Sequence, residues 1–280
     1  MSVEIKPARI NAMEFAGKDH ILRVVRRDRG TFYDLIDGVD DAGWLTPTAC
    51  TEWQVRDMVG HMVDVTEAYL ERWALARAGK PFPEALGLPG MARRADERAR
   101  SFRTIQRPEM ITRLKRASDQ LFNIFDGLGA QQWTGELVPH VYMGPLPAFF
   151  YPAFQLMDYS VHSWDIRAGL GRIVPLAEDA AATLVPFMFV LLQYTVDAEP
   201  ARGFDATWGI RVSGDYSGSW RVQLTDGKLS YEEGSIAGLP VTFNFDPADF
   251  VLTSFQRIRG GAPIGDQALA ERIRYLFFKI

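Results

Sequence analysis

Apolar positions recur at three- and four-residue steps through the first part of the chain, the period of a helix with one buried stripe. From Phe204 onward they alternate with polar residues instead, the period of half-buried strands. After an N-terminal leader to about residue 20, the helical pattern predicts four segments. The first spans 19–37, with Ile21, Val24, Val25, Phe32, Leu35 and Ile36. The second spans 52–78, with Val55, Met58, Met62, Val65, Tyr69 and Trp73, and Thr48 or Thr51 is the expected cap. The third spans 91–128. It starts arginine-rich (Arg93, Arg94, Arg98, Arg100, Arg103), the usual sign of a solvated face, and turns amphipathic after Pro108. The fourth, 149–171, carries Phe150, Phe154, Met157, Val161, Trp164 and Ala168 and reads as one amphipathic helix ended by Gly169 and Gly171. Between the last two, residues 129–147 read as a long ordered loop containing Trp133 and Tyr142.

Beyond Gly171 an apolar, alanine-rich helix is predicted over 176–194. Strands are predicted over 207–212, 218–225, 228–232 and 240–245, with Asp226-Gly227 as a hairpin turn, and two helices close the chain over 246–259 and 266–279. The expected fold class is therefore a helical bundle followed by a smaller α+β domain. The division falls near Arg172–Pro175, giving domains 1–172 and 173–280.

Composition narrows the function classes. A chain of 280 residues with 47% apolar content, 18 Phe and 7 Trp can build two cores. A formal charge of −4 and an isoelectric point near 5.7 argue against nucleic acid, which calls for a basic footprint. One cysteine gives no internal disulfide framework and fits a reducing compartment. The first residues lack the apolar core of a signal peptide, and the longest apolar stretch, 180–192, is too short to span a bilayer. A cytoplasmic protein with no membrane partner is expected.

Asp158 and His162 stand four residues apart, hence on one face of the fourth helix, where a carboxylate and an imidazole can share a divalent ion. His61 lies at the flank of the apolar stripe of the second helix. If the two helices pack side by side, the three groups converge and leave an open position, the pattern of a catalytic metal. The bland alternatives remain open here: a helical Asp–His pair, and a core-edge histidine bonded to a backbone carbonyl. His20 falls in the leader and His140 in the 129–147 connection.

The stretch 44–61, WLTPTACTEWQVRDMVGH, resembles the mycothiol-dependent maleylpyruvate isomerase family. The family pattern falls on Trp44, Pro47, Thr48, Cys50, Trp53 and His61, and its second motif on Asp158, His162 and Asp165. The stretch 246–277 is similar to the sterol-carrier-like domain often fused to that family's DinB-like four-helix bundle. The resemblance implies zinc on His61, Asp158 and His162, with mycothiol as thiol cosubstrate. The metal-held thiol would attack a small electrophilic substrate in an isomerase or S-transferase reaction. Two positions depart from the pattern: Asp158 replaces a longer glutamate, and Gln155 replaces an arginine. Cys50 reads as packed core with nothing basic around it. At least one of Arg257, Arg259, Arg272 and Arg274 is expected to face the site, with Arg257 and Arg259 as the catalytic candidates. Two other readings compete: an oxygen-using Fe(II) enzyme without a thiol, and a non-enzymatic carrier of an apolar ligand.

Overall fold

The computed structural model describes residues 9–50 and 52–279. Its first part contains α1 (Lys18–Asp37), α2 (Asp41–Trp44), α3 (Val55–Arg77), α4 (Gly87–Ser101), α5 (Arg107–Gly127), α6 (Ala130–Gly135), β1 (Leu137–His140), β2 (Gly144–Pro147) and α7 (Phe150–Gly169). The four long helices α1, α3, α5 and α7 form the bundle, with α1 against α7 and α3 against α5. Trp73 of α3 packs edge-on against Phe125 of α5 and beside Tyr151 of α7, which ties three of them together.

Local chemistry sets the ends of α3 differently from the expectation. Its cap is Gln54, in a capping box with Asp57, whose carboxylate accepts the Gln54 backbone N–H at 3.0 Å. Thr48 instead donates its hydroxyl to the Trp53 carbonyl at 2.9 Å, and Thr51 lies outside the described residues. The single helix expected over 91–128 is two. Pro108 sits in the first turn of α5, where it cannot continue a preceding helix, and a 3-10 turn at Phe102–Thr104 closes α4.

The helix expected to be amphipathic is buried on every side. From Phe150 to Ile166 each residue of α7 is buried except the half-buried Asp158. The bundle covers one side, and α8 (Glu178–Tyr194) covers another. Tyr151, Ala153, Leu156, Tyr159 and Ile166 fill the face a surface helix would leave polar. The expected loop 129–147 is also structured, holding α6 and an antiparallel hairpin that pairs His140 with Gly144. Pro139, Pro145 and Pro147 mask it in the sequence, yet a two-stranded ribbon has free edges that tolerate proline.

After α8 come α9 (Ala198–Ala201), β3 (Ala206–Val212), β4 (Gly218–Thr225), β5 (Lys228–Glu233), β6 (Val241–Phe245), α10 (Pro247–Ser254), β7 (Ala262–Gly265) and α11 (Gln267–Arg274). The sheet order is β5-β4-β3-β6-β7, antiparallel except for the parallel β3–β6 pair. Asp226 and Gly227 both take positive φ, 49° and 72°, which matches the twist of the β4–β5 hairpin. The short edge strand β7 escapes the sequence pattern, and the two closing helices stop earlier than expected. Phe189 of α8 stacks within 4.7–5.1 Å of Trp220, Tyr231 and Phe250, so this helix seats the sheet and α10 while its other side covers α7. Among the described residues, no helix is long and apolar enough to cross a membrane.

Candidate metal centre

Helix α3 supplies His61, and α7 supplies Asp158 and His162. One ligand atom of each lies within 4.8 Å of the others. The two imidazole rings stand 5.2 Å apart and nearly perpendicular, at 88°. Nε2 of His162 is 3.9 Å from Oδ1 of Asp158, while Oδ2 of Asp158 is buried without a hydrogen-bond partner. A buried carboxylate oxygen left unpaired costs free energy unless something positive meets it. Burial also pushes the Asp158 carboxyl up to about 6, against the pull of His162.

His61 is prepared as a neutral donor. Burial, then the charges of His162, Arg94 and Arg257, hold His61 well below its ordinary pKa. His162 Nδ1 lies 3.0 Å from Oδ2 of Asp165; with the ring proton on Nδ1 that carboxylate accepts its hydrogen bond, and Nε2 is the nitrogen left on the Asp158 side. Burial works to raise the Asp165 pKa, but the His162 hydrogen bond and the Arg257 charge outweigh it and hold the carboxyl below its ordinary value. Two imidazoles and a carboxylate, the carboxylate half orphaned, form a donor set that fits a divalent cation with one position open.

These groups line a cavity of about 370 Å³ together with Cys50, Trp53, Tyr142 and Arg257. Arg257 reaches it from beyond α10, with Nε 2.7 Å from Oδ1 and Nη2 3.2 Å from Oδ2 of Asp165. Its guanidinium therefore backs the carboxylate that orients His162. Arg259 does not join it. That side chain is 62% exposed, pairs with Glu271, and lines a second cavity, away from the three ligand candidates. Arg272 lies over the Phe204 ring, and Arg274 donates to the Gly260 and Gly261 carbonyls. Of the α4 arginines, Arg94 and Arg98 hold Asp64, so the run is bound inward as well as solvated.

Cys50 is not free of basic neighbours, since Arg257 and Lys279 act on it. Burial outweighs them and pushes the thiol up to about 11, so it stays protonated. Gln155 is fully buried, and neither of its amide atoms has a hydrogen-bond partner. His20 lies on α1, bonded to Thr183. His140, expected in a loop, sits on β1, buried at the cavity wall with Tyr69 and Arg72. Sequence reasoning missed these three wall residues. The available signal was the face of α3, where His61, Val65, Ala68 and Arg72 follow at steps of four, three and four.

A family model described as the mycothiol maleylpyruvate isomerase N-terminal domain matches residues 25–167. The chain belongs to that family. The crystal structure of the mycothiol-dependent maleylpyruvate isomerase is similar to it with a TM-score of 0.61 at 13% identity, covering 88% of this chain and 92% of that one. A mutant of that enzyme, with alanine in place of one histidine, gives a TM-score of 0.60 at 12% identity over the same shares. At such identity the likeness concerns the fold, a helical part followed by a sheet domain. No curated protein sequence matches the chain. This family member thus pairs its matched N-terminal part with a donor set on the wall of one cavity.

Proposed function

We propose that this family member is a metal-dependent, thiol-using isomerase acting on a small electrophilic substrate of the maleylpyruvate type, with mycothiol as the thiol. What supports the reading most is the convergence of His61, Asp158 and His162 on a cavity wall, with Asp165 orienting the third. These three residues would hold zinc. When bound, the cation lowers the pKa of a thiol that reaches it and so makes the nucleophile available at neutral pH.

The chain's own residues do the rest. His61 presents a neutral nitrogen, His162 presents its Nε2 beside it, and Asp158 supplies one negative charge. In the reaction proposed, a sulfur–carbon bond forms at one alkene carbon as the π pair moves onto the conjugated carbonyl oxygen. Rotation about the new single bond and return of the pair expel the thiolate, which leaves the other geometric isomer. Arg257 stays charged on Asp165 and lends positive potential to the enolate stage. Trp53, Phe154 and Met157 keep the walls apolar and limit water. Cys50, held protonated, does not compete as a nucleophile.

The division into 1–172 and 173–280 belongs to the same proposal. The stretch from Gly171 to Pro175 is exposed throughout, as an interdomain link is. By resemblance the first domain is DinB-like and the second sterol-carrier-like. The carrier reading draws on the second cavity, also about 370 Å³, lined by Trp208, Ile210, Phe243 and Phe245. The two-histidine, one-carboxylate set equally suits Fe(II).

Metal analysis of the purified chain with a mycothiol titration tests the proposal. About one zinc per chain, lost together with thiol binding in His61→Ala, is the expected result. Iron with thiol-independent oxygen consumption would replace it with the Fe(II) reading, and a metal-free chain that binds no thiol would leave only the carrier.

A further inference from the structure

The turn 255–259 stands between two cavities. Phe255 and Arg257 line the one that holds His61, Asp158 and His162, while Gln256, Arg257, Ile258 and Arg259 line the other. Arg257 thus belongs to both walls, with its guanidinium committed to Asp165 at 2.7 and 3.2 Å. Just before it, Gln256 takes a φ of 52°. A residue with a side chain holds that left-handed conformation only where its surroundings fix it.

The second cavity, about 370 Å³, has an apolar interior and a cationic mouth. Trp208, Ile210, Phe243 and Phe250 on its wall are buried, whereas Arg259 and Tyr275 reach solvent. Of the described residues that line it, three are arginines and none is a carboxylate. Asp165 balances Arg257, and Glu271 pairs with Arg259. Arg274 has only the other oxygen of that same Glu271. Its Nε lies 4.0 Å from Oε1 and is buried without a hydrogen-bond partner. Its two Nη atoms donate to the Gly260 and Gly261 carbonyls at 2.9 and 2.6 Å, which uses one N–H of each and leaves the second. Burial, then the like charge of Arg259, lowers the Arg274 pKa against the pull of Glu271, yet a guanidinium stays ionised. Two guanidiniums therefore share one carboxylate, and a positive charge is left in excess beside an apolar wall. Cζ of Arg274 stands 5.2 Å from the centre of the Phe243 ring, so charge and apolar lining meet there.

We infer that the second cavity is an effector site for an amphiphilic monoanion, whose occupancy acts on the metal end through the turn 255–259. The apolar chain lies among the aromatic residues, and the anionic head meets Arg259 and Arg274. One negative head matches the one positive charge in excess, and the enclosed volume falls within the range of small-ligand sites. A chain in this cavity packs on one side of a turn whose other side holds Asp165. It therefore supports the placing of Arg257 and, through Asp165, that of His162. The site stands independently of the reaction proposed for the first cavity, and only its effect on zinc rests on that reading.

The test uses octanesulfonate, whose head is a poor ligand for zinc, and 1-octanol, the same chain without the charge, titrated calorimetrically into the zinc-free full chain. Wild type should bind octanesulfonate about tenfold or more tightly than octanol. Arg274→Gln should abolish that preference with octanol affinity unchanged. Arg259→Gln, which frees Glu271 for Arg274, should weaken it. Equal affinity for the two probes in wild type, or an undiminished preference in both variants, overturns the site. Thermal melting confirms folding, and the exposed Arg259→Gln decides if Arg274→Gln is unstable. Asp165 lines neither cavity, so Asp165→Asn reads the link: octanesulfonate affinity should fall about fivefold or more. Octanesulfonate should in turn raise the zinc affinity of wild type by a similar factor, and that measurement decides if Asp165→Asn does not fold. Unchanged affinity in either experiment overturns the effector role. A chain that takes up no zinc overturns the metal reading alone, because the zinc-free titrations still decide the site and the link.

Discussion

Arg257 and Asp165, 92 residues apart in sequence, share two hydrogen bonds at 2.7 and 3.2 Å, with side chains only 2% and 0% exposed. The pair joins the segment after α10 to the middle of α7, and through Asp165 to the Nδ1 of His162. A residue of the second part of the chain therefore helps set the orientation of a ligand candidate in the first.

Removing the guanidinium should be felt twice. Arg257→Gln leaves a buried carboxylate without its cation, a change worth about 3–5 kcal/mol of stability. It also loosens the carboxylate that orients His162, so zinc affinity should fall by about 10- to 100-fold. Denaturant unfolding and a competitive zinc titration measure the two effects. Unchanged zinc affinity would show that Asp165 holds the ring without help.

Asp158 has one methylene fewer than the glutamate of the family pattern. Asp158→Ala should lose zinc affinity by at least tenfold. Asp158→Glu should retain or improve it, because the longer arm still reaches an ion between the two imidazoles. Equal zinc content in wild type and the alanine variant would reduce Asp158 to an ordinary buried acid.

His140 predicts an acid-sensitive fold. Burial lowers its pKa from the ordinary 6.5 to about 3. The unfolded chain then binds the proton first, so stability is complete above about 6.5 and is lost as pH falls from there toward 3. At about 1.4 kcal/mol per unit the loss amounts to several kcal/mol. Urea unfolding at pH 7 and pH 4.5 measures it. His140→Phe should flatten part of this profile, and an unchanged slope would assign the acid loss to the other buried histidine with a lowered pKa, His61.

Expressed alone, residues 1–172 would lack Arg257 and the α8 side that covers α7. That fragment should aggregate or bind zinc poorly, and it should not turn over substrate as the full chain does. A folded, zinc-replete, fully active fragment would make residues 173–280 an appendage.

The legible parts of the molecule are those set by local chemistry. The helical spacing of Asp158 and His162, the β-period of 206–225 and the Asp226-Gly227 turn each carry their own signal. The convergence of His61 needed only that α3 and α7 touch. What could not be read depends on distant packing. The second buried side of α7 exists because α8 folds back over it. Arg72 looks like any helical arginine until the β1–β2 hairpin closes on it. Arg257 and Arg259 are two residues apart and equal in sequence, and the turn at Gln256, with φ of 52°, comes just before Arg257 faces inward while Arg259 goes to solvent.

The burial of α7 on all sides also bears on time. A helix with an exposed face can fray or open from that face, and its amides exchange with solvent by local events. Between Phe150 and Ile166 no such face exists. The amides around Asp158 and His162 should exchange only when the whole fold opens. The relative placement of these two side chains then persists as long as the native state does, and turnover never has to wait for them to reassemble.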